Sequence, residues 1–368
     1  MEVWPEAWNG EDTTRLVSDR ALFHGIAALL SETAPRLSNW PNDVLIALRN
    51  ETMSQAMWEL RHERLLDEIF TAFSAKHIEA IVLKGTALAY SLYPRPYARR
   101  RGDSDVLVRR AELNEARDVL AALGFSLVLH THGPFGDMQF QDLWRLELSD
   151  DTVHDIDLHW KVTNSQALEC VLGVDECFAG SILLPRLSVH AKSLDPVRRL
   201  LLSCINRGLD KSGGYYAIDR FHYEEDRLIW ACDIDLEASA FSVRDWQGFS
   251  KLVVERGVAA ICLDGLLFAA EALGTEIPED VVNDLARVSP DTWPCRYIAN
   301  SNDWLRTWED FRATPSVADK IRFLLARAFP SLRFIRNKYP QSSRWPVLAL
   351  YFRRLINAMP KLIRRNPE

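Results

Sequence analysis

The chain has 368 residues, 48% apolar and 26% charged, with a net charge of −7; this is the make-up of a globular protein with a large core, not of a disordered or fibrous chain. Six scattered cysteines form no CxxC pair and have no histidine at zinc-ligand spacing, so a structural zinc site is not expected and reduced thiols fit a cytoplasmic setting. The start, Met1-Glu2-Val3-Trp4-Pro5, does not read as a secretory signal, and no run of roughly 18 apolar residues is present to span a membrane.

Taken in order, residues 11–75 read as helices, with apolar spacings of three and four over Leu22–Leu30 and Val44–Phe73 and breaks at Pro35 and Pro41. The period changes at Ile78: Ile78–Leu83 suits a buried strand, Lys84-Gly85-Thr86 follows, and Ala87–Tyr93 reads as a short helix. A Pro- and Arg-rich loop over 93–102 leads into a second strand, Asp103–Val108. A helix over Ala111–Leu123 is expected to stop at Gly124, before a third strand, Phe125–Leu129. Gln139–Leu148 and Val153–Trp160 read as two more strands joined at Ser149-Asp150-Asp151. From Asp195 the helical period returns, strongest in Pro196–Asn206, Glu225–Ala238, Trp246–Arg256 and Val258–Leu273, with a loop expected over Asp210–Tyr216.

Strand residues two apart share a face, so Asp103 and Asp105 project together. Adjacent carboxylates repel, and a divalent cation removes that penalty; magnesium prefers carboxylate oxygens. Asp157, between apolar Ile156 and Leu158, supplies a third carboxylate, with Asp155 on the same face competing for the role. Three such groups can hold two metals. Before them, Gly85 lets backbone approach phosphate at a helix start, Thr86 adds a hydroxyl, Lys84 a point charge, and Arg99 to Arg101 guanidinium groups.

In this order the motifs resemble the DNA polymerase β-like nucleotidyltransferase superfamily, with its Gly-Ser turn, DxD strand and later lone carboxylate. More closely, Leu83-Lys84-Gly85, Tyr93-Pro94, Arg99 through Asp103-Ser104-Asp105-Val106-Leu107-Val108, and Asp157-Leu158-His159-Trp160 resemble a bacterial family of uncharacterised nucleotidyltransferases. The helix Arg227–Asp233 is similar too, and the resemblance spans roughly residues 75 to 275. Thr86 stands for the usual serine and keeps the hydroxyl. Ser104 replaces an apolar residue and is expected to loosen packing, and Arg100 and Arg101 make the loop basic.

The periodicity and charge along the chain give a helical N-terminal region over 1–75, a helical C-terminal domain over 191–320 and a basic tail over 321–368 around a small core over 76–190, and the resemblance implies that this core is mixed-sheet and polymerase β-like, for an α+β fold. It implies an EC 2.7.7-type enzyme moving a nucleoside monophosphate, AMP from ATP as the expected case, from an NTP to a hydroxyl-type acceptor with release of pyrophosphate. Asp103, Asp105 and Asp157 would bind two Mg2+, or Mn2+, while Lys84, Gly85, Thr86 and Arg99 would bind the triphosphate. The acceptor, whether a protein, a sugar, an antibiotic or an RNA end, is left open. The rival readings are a non-catalytic nucleotide-binding module, as in a toxin–antitoxin pair, and a peripheral-membrane enzyme of polysaccharide or natural-product biosynthesis.

Other polar residues weigh less. His154 and His159 read as structural or exposed rather than as orienting Asp157, and Asp233 as a helix-surface or capping residue rather than a nucleotide contact. His130, His132 and Asp137 read as loop polar residues. The segment 321–367 holds eleven Arg or Lys and no Asp or Glu, leaving −18 on the rest. Its Leu348, Phe352, Leu355, Met359 and Leu362 recur at helical spacing, so this basic amphipathic tail is expected to pack on the acidic body, ahead of an anionic partner or a membrane surface.

Overall fold

The computed structural model describes residues 4–354 except 6, 7, 9, 34–38, 130, 131, 134, 135, 138, 219, 333, 334, 337, 338 and 340–344. Helices α1 (Glu11–His24) and α2 (Ala27–Glu32) precede the long α3 (Asn42–Ala75). The apolar period over Leu22–Leu30 is divided between α1 and α2, because Gly25 turns the chain at φ 72°. Strand β1 (Ala80–Val82), α4 (Lys84–Ser91), β2 (Asp103–Val108), α5 (Leu113–Ala122) and β3 (Ser126–Leu129) follow. A two-stranded ribbon, β4 (His132–Gly133) and β5 (Gly136–Asp137), leads to β6 (Gln141–Glu147) and β7 (Val153–His159). A short α6 (Val174–Ala179) comes before the hairpin of β8 (Ser181–Leu183) and β9 (Lys192–Leu194).

Seven strands form one mixed sheet in the order β3-β6-β7-β2-β1-β9-β8. β2 runs parallel to β7 and antiparallel to β1, and β9 lies parallel to β1 on the far side. The sheet thus extends to Leu194, four residues past the expected core boundary. Strand alternation gives it two chemically distinct faces. Val82, Val106, Val108, Ile156 and Leu158 pack under α3 and α5 with Leu66, Phe70, Ala116 and Leu120. On the other face Ile81, Leu83 and Leu107 are buried with Leu194, Phe178 and Leu202. The acidic ends of β2 and β7 share this second face.

The helical half begins with α7 (Pro196–Gly213), whose N-cap Asp195 accepts from the Val197 and Arg198 N–H groups at 3.1 Å each. The expected end at Asn206 and loop from Asp210 are corrected: α7 runs on for seven residues. Gly208 is not a stop but a contact point, because a Cβ there would lie 2.7 Å from the Ile298 side chain. The hairpin β10 (Tyr215–Ala217) and β11 (Arg220–His222) follows. Next come α8 (Leu228–Ser239), α9 (Val243–Glu255), α10 (Ala259–Leu273), α11 (Glu279–Ala286), α12 (Trp293–Ala299), α13 (Asp303–Ala313) and α14 (Val317–Ala328). Leu200, Cys204, Ala231, Phe249, Leu266 and Ile298 form their common core.

All six cysteines are free, and among the described residues no helix is long and apolar enough to cross a membrane. The side chains of His130, His132 and Asp137, and the tail beyond Arg354, lie outside the described residues. The described part of the tail turns back on α14: Tyr351 donates to the Pro330 carbonyl at 2.6 Å and Arg354 to the Arg327 carbonyl at 3.0 Å, while Leu348 and Phe352 are exposed.

Candidate active site

The parallel pairing of β2 and β7 sets the register of the site. Asp103 stands opposite Asp155, Asp105 opposite Asp157 and Leu107 opposite His159. Four carboxylates and one imidazole therefore line one face of two neighbouring strands, as alternation requires. Asp155 is engaged by Arg145, with Nε and Nη2 at 2.8 and 2.7 Å from its two oxygens. Among the described residues, Asp157 accepts from the amide of Gln141, at 2.7 Å, and from no guanidinium. The competition between the two aspartates is thus unequal, since a bidentate guanidinium already neutralises Asp155.

Asp105 is buried and is the hub. Its Oδ1 lies 2.6 Å from Lys84 Nζ and 2.9 Å from His159 Nε2. Burial would lift its pKa, but Lys84 and His159 outweigh burial and hold the carboxyl below its usual range. Solvent reaches Asp103 at the start of β2, yet the protein crowded round it and the charge of Asp105 lift it to about 6. Asp157 is pushed further, to about 8, by burial and by Asp105 and Asp103. Burial and the mutual repulsion of the clustered carboxylates cause both shifts, with Lys84 opposing them.

Asp105, Asp157 and His159 offer ligand atoms that all lie within 4.8 Å of one another, the only such group among the described residues. Two carboxylates fit a divalent cation, and an imidazole nitrogen is a donor that Mn2+ tolerates better than Mg2+. His159 is buried against Asp105, not exposed. Its place was legible, because it sits two residues beyond Asp157 on the same strand.

Lys84 begins α4 with φ 49°, a left-handed conformation that costs a lysine about 1–3 kcal/mol and persists only where the surroundings impose it. Gly85 allows the Arg99 guanidinium to lie against the backbone, since a Cβ would come within 3.2–3.3 Å of it. Arg99 is anchored by Asp233, with contacts of 2.7 Å from both Nε and Nη2, and Tyr93 donates to the same carboxylate at 2.7 Å. Asp233 is accordingly buried and holds the arginine, rather than lying on a helix surface.

Thr86 points behind the strand. Its hydroxyl lies 2.7 Å from Ser104 Oγ, which is also 2.7 Å from His62 Nε2. His62 Nδ1 in turn meets His154 Nδ1 at 3.1 Å, and Trp58 stacks on His62 at 4.2 Å. Ser104 does not loosen the packing as expected; it is buried and ties β2 to α3 and α4. Sequence reasoning also missed Asp210. It projects from α7 toward Lys84, and burial, with Asp105 and Asp103 nearby and Lys84 opposing, raises it to about 6. The polar stripe Ser203, Asn206, Asp210 at helical spacing was its only signal.

The match with known families bears on this geometry. The model of a family described as uncharacterised nucleotidyltransferase covers residues 11–274, a span that takes in α1 to α3 as well as the sheet and α7 to α10. No curated protein matches the chain.

Proposed function

Because the chain belongs to the uncharacterised nucleotidyltransferase family, we propose that it transfers a nucleoside monophosphate, with AMP from ATP as the first case to test, to a hydroxyl-bearing acceptor. The observation that carries this reading is the convergence of Asp105, Asp157 and His159 within 4.8 Å, beside Lys84 and the start of α4. Asp103, Asp105 and Asp157 would hold two divalent cations, Mg2+ or Mn2+, which when bound activate the acceptor hydroxyl and neutralise the leaving phosphates. The main chain at Gly85 and Thr86 approaches the triphosphate at a helix start, and Lys84 and Arg99 add positive charge. Thr86 acts through its N–H, because its hydroxyl is committed to Ser104. Asp233 fixes the Arg99 fork, so that its position is set before substrate arrives. The acceptor oxygen attacks the α-phosphorus, the bond to the β-phosphate oxygen breaks, and pyrophosphate departs.

The test is incubation of the chain with α-labelled nucleotides, Mg2+ or Mn2+ and a mixture of protein, sugar and RNA acceptors, with pyrophosphate as a second readout. Label on one acceptor class, lost in Asp105→Ala while the fold is kept, is the expected result. Nucleotide binding with no pyrophosphate under any mixture would leave a non-catalytic binding module instead.

A further inference from the structure

Lys84 and His159 share one oxygen of Asp105, at 2.6 and 2.9 Å. A divalent cation entering among Asp105, Asp157 and His159 therefore meets an ammonium already on its ligand, and two cations on one oxygen repel. The lysine has a second place to go. Lys84 and Asp210 line the same small cavity between α4, α7 and α8, with Ser203, Asn206 and the Arg99–Asp233 ion pair. Its volume of about 80 Å³ has room for an ammonium group. Asp210 feels Lys84, Asp105, Arg227 and Asp103 through space, and no described donor hydrogen-bonds its carboxylate. A lysine head on a four-carbon stem reorients where a guanidinium fork does not.

We propose that Lys84 is an exchangeable counter-ion, which neutralises Asp105 in the ion-free protein and moves to Asp210 when a divalent cation binds. Ion loading and the delivery of a positive charge to the wall of the Lys84-Gly85 turn are then one event. The inference rests on the metal-dependent reading above and adds Asp210 as the positioning residue that receives the lysine.

The test uses Mn2+ alone, without nucleotide, titrated into the full chain and followed by electron paramagnetic resonance. Lys84→Met removes the competitor, and Mn2+ should bind at least about tenfold more tightly, since repulsion between close charges is lost. Asp210→Asn removes the landing place and should weaken Mn2+ binding. In the Lys84→Met background the Asp210→Asn change should weaken Mn2+ binding much less, because only the through-space pull of the carboxylate on the ion remains. Lys84→Gln serves as the second charge-free variant, and circular dichroism of each checks the fold. Equal or weaker binding in both charge-free variants overturns the proposal, as does an Asp210 effect that is undiminished without Lys84. Wild-type Mn2+ affinity in Asp105→Asn overturns the metal-site reading itself, and the counter-ion proposal with it.

Discussion

A serine between two aspartates looks like a defect in a buried strand, yet Ser104 is where the site is tied to its support. It meets His62 Nε2 and Thr86 Oγ1, both at 2.7 Å, in a space that solvent does not reach. Ser104→Ala should destabilise the protein by about 1–3 kcal/mol, the cost of leaving a buried polar partner unsatisfied. Urea unfolding would show it as a lower midpoint at unchanged slope. A raised midpoint would mean that the serine does loosen the packing after all. Asp233 makes the parallel case with charge. Asp233→Ala strands Arg99, whose side chain is 12% exposed, and should cost about 3–5 kcal/mol. Asp233→Ala should also lower the affinity for nucleotide, because the arginine loses its fixed orientation. Unchanged stability and affinity would show that Arg99 finds another partner. Neither role could be read from spacing, because the partners stand 42 and 134 residues away in sequence.

Among the elements, the join between α1 and α8 carries a pH dependence. His24 ends α1, and its Nδ1 accepts from the Leu228 N–H at 3.2 Å, while Arg20 lies 3.1 Å from Nε2. Burial, with Arg20 and Arg227 alongside, lowers its pKa to about 4. The folded state thus binds its proton less readily than the unfolded chain does, where the value is near 6.5. The stability it supports is complete above pH 6.5 and is lost as pH falls toward 4. His24→Ala should lower the melting temperature at pH 7.5 and flatten its fall between pH 6.5 and 4; an unaltered fall would assign the acid sensitivity elsewhere. Strands β1, β2, β3, β6 and β7 were legible. β2 has the bounds that alternation gives, and β6 and β7 meet at the expected turn. The helices were less so: α7 passes through Gly208 because Ile298 packs there, a contact no local pattern announces. The hairpin of β8 and β9 hid for the same reason, since its three-residue strands gain their meaning from pairing with β1. In the site, the aspartates were legible from their alternation, whereas Asp210 depended on how far α7 runs.

At the scale of the whole molecule, the family match ends at Gly274, but the folding unit does not. Val281, Leu285, Tyr297 and Ile298, from α11 and α12, are buried in the same core as Ala231, Phe249 and Leu266. Each large apolar side chain so buried contributes about 1.5–3 kcal/mol. Asp310 of α13 then fastens this layer to the segment that follows β7. It accepts from Ser165 Oγ at 2.8 Å, from the Ala167 N–H at 3.0 Å and from Tyr297 Oη at 3.1 Å. The same segment connects β7, with Asp157 and His159, to the helical half, so the C-terminal helices brace the strand that bears the site. A chain ended after Gly274 should therefore lose its cooperative unfolding transition, because removing α11 and α12 opens the core rather than trimming its rim. Asp310→Ala in the full chain should keep the transition but lower its midpoint, since three buried donors lose one acceptor. Calorimetry of the two proteins against the intact chain separates the cases. A Gly274-terminated chain that melts cooperatively near the intact temperature would confine the folding unit to the family's own span, and would make the later helices an addition the site does not need.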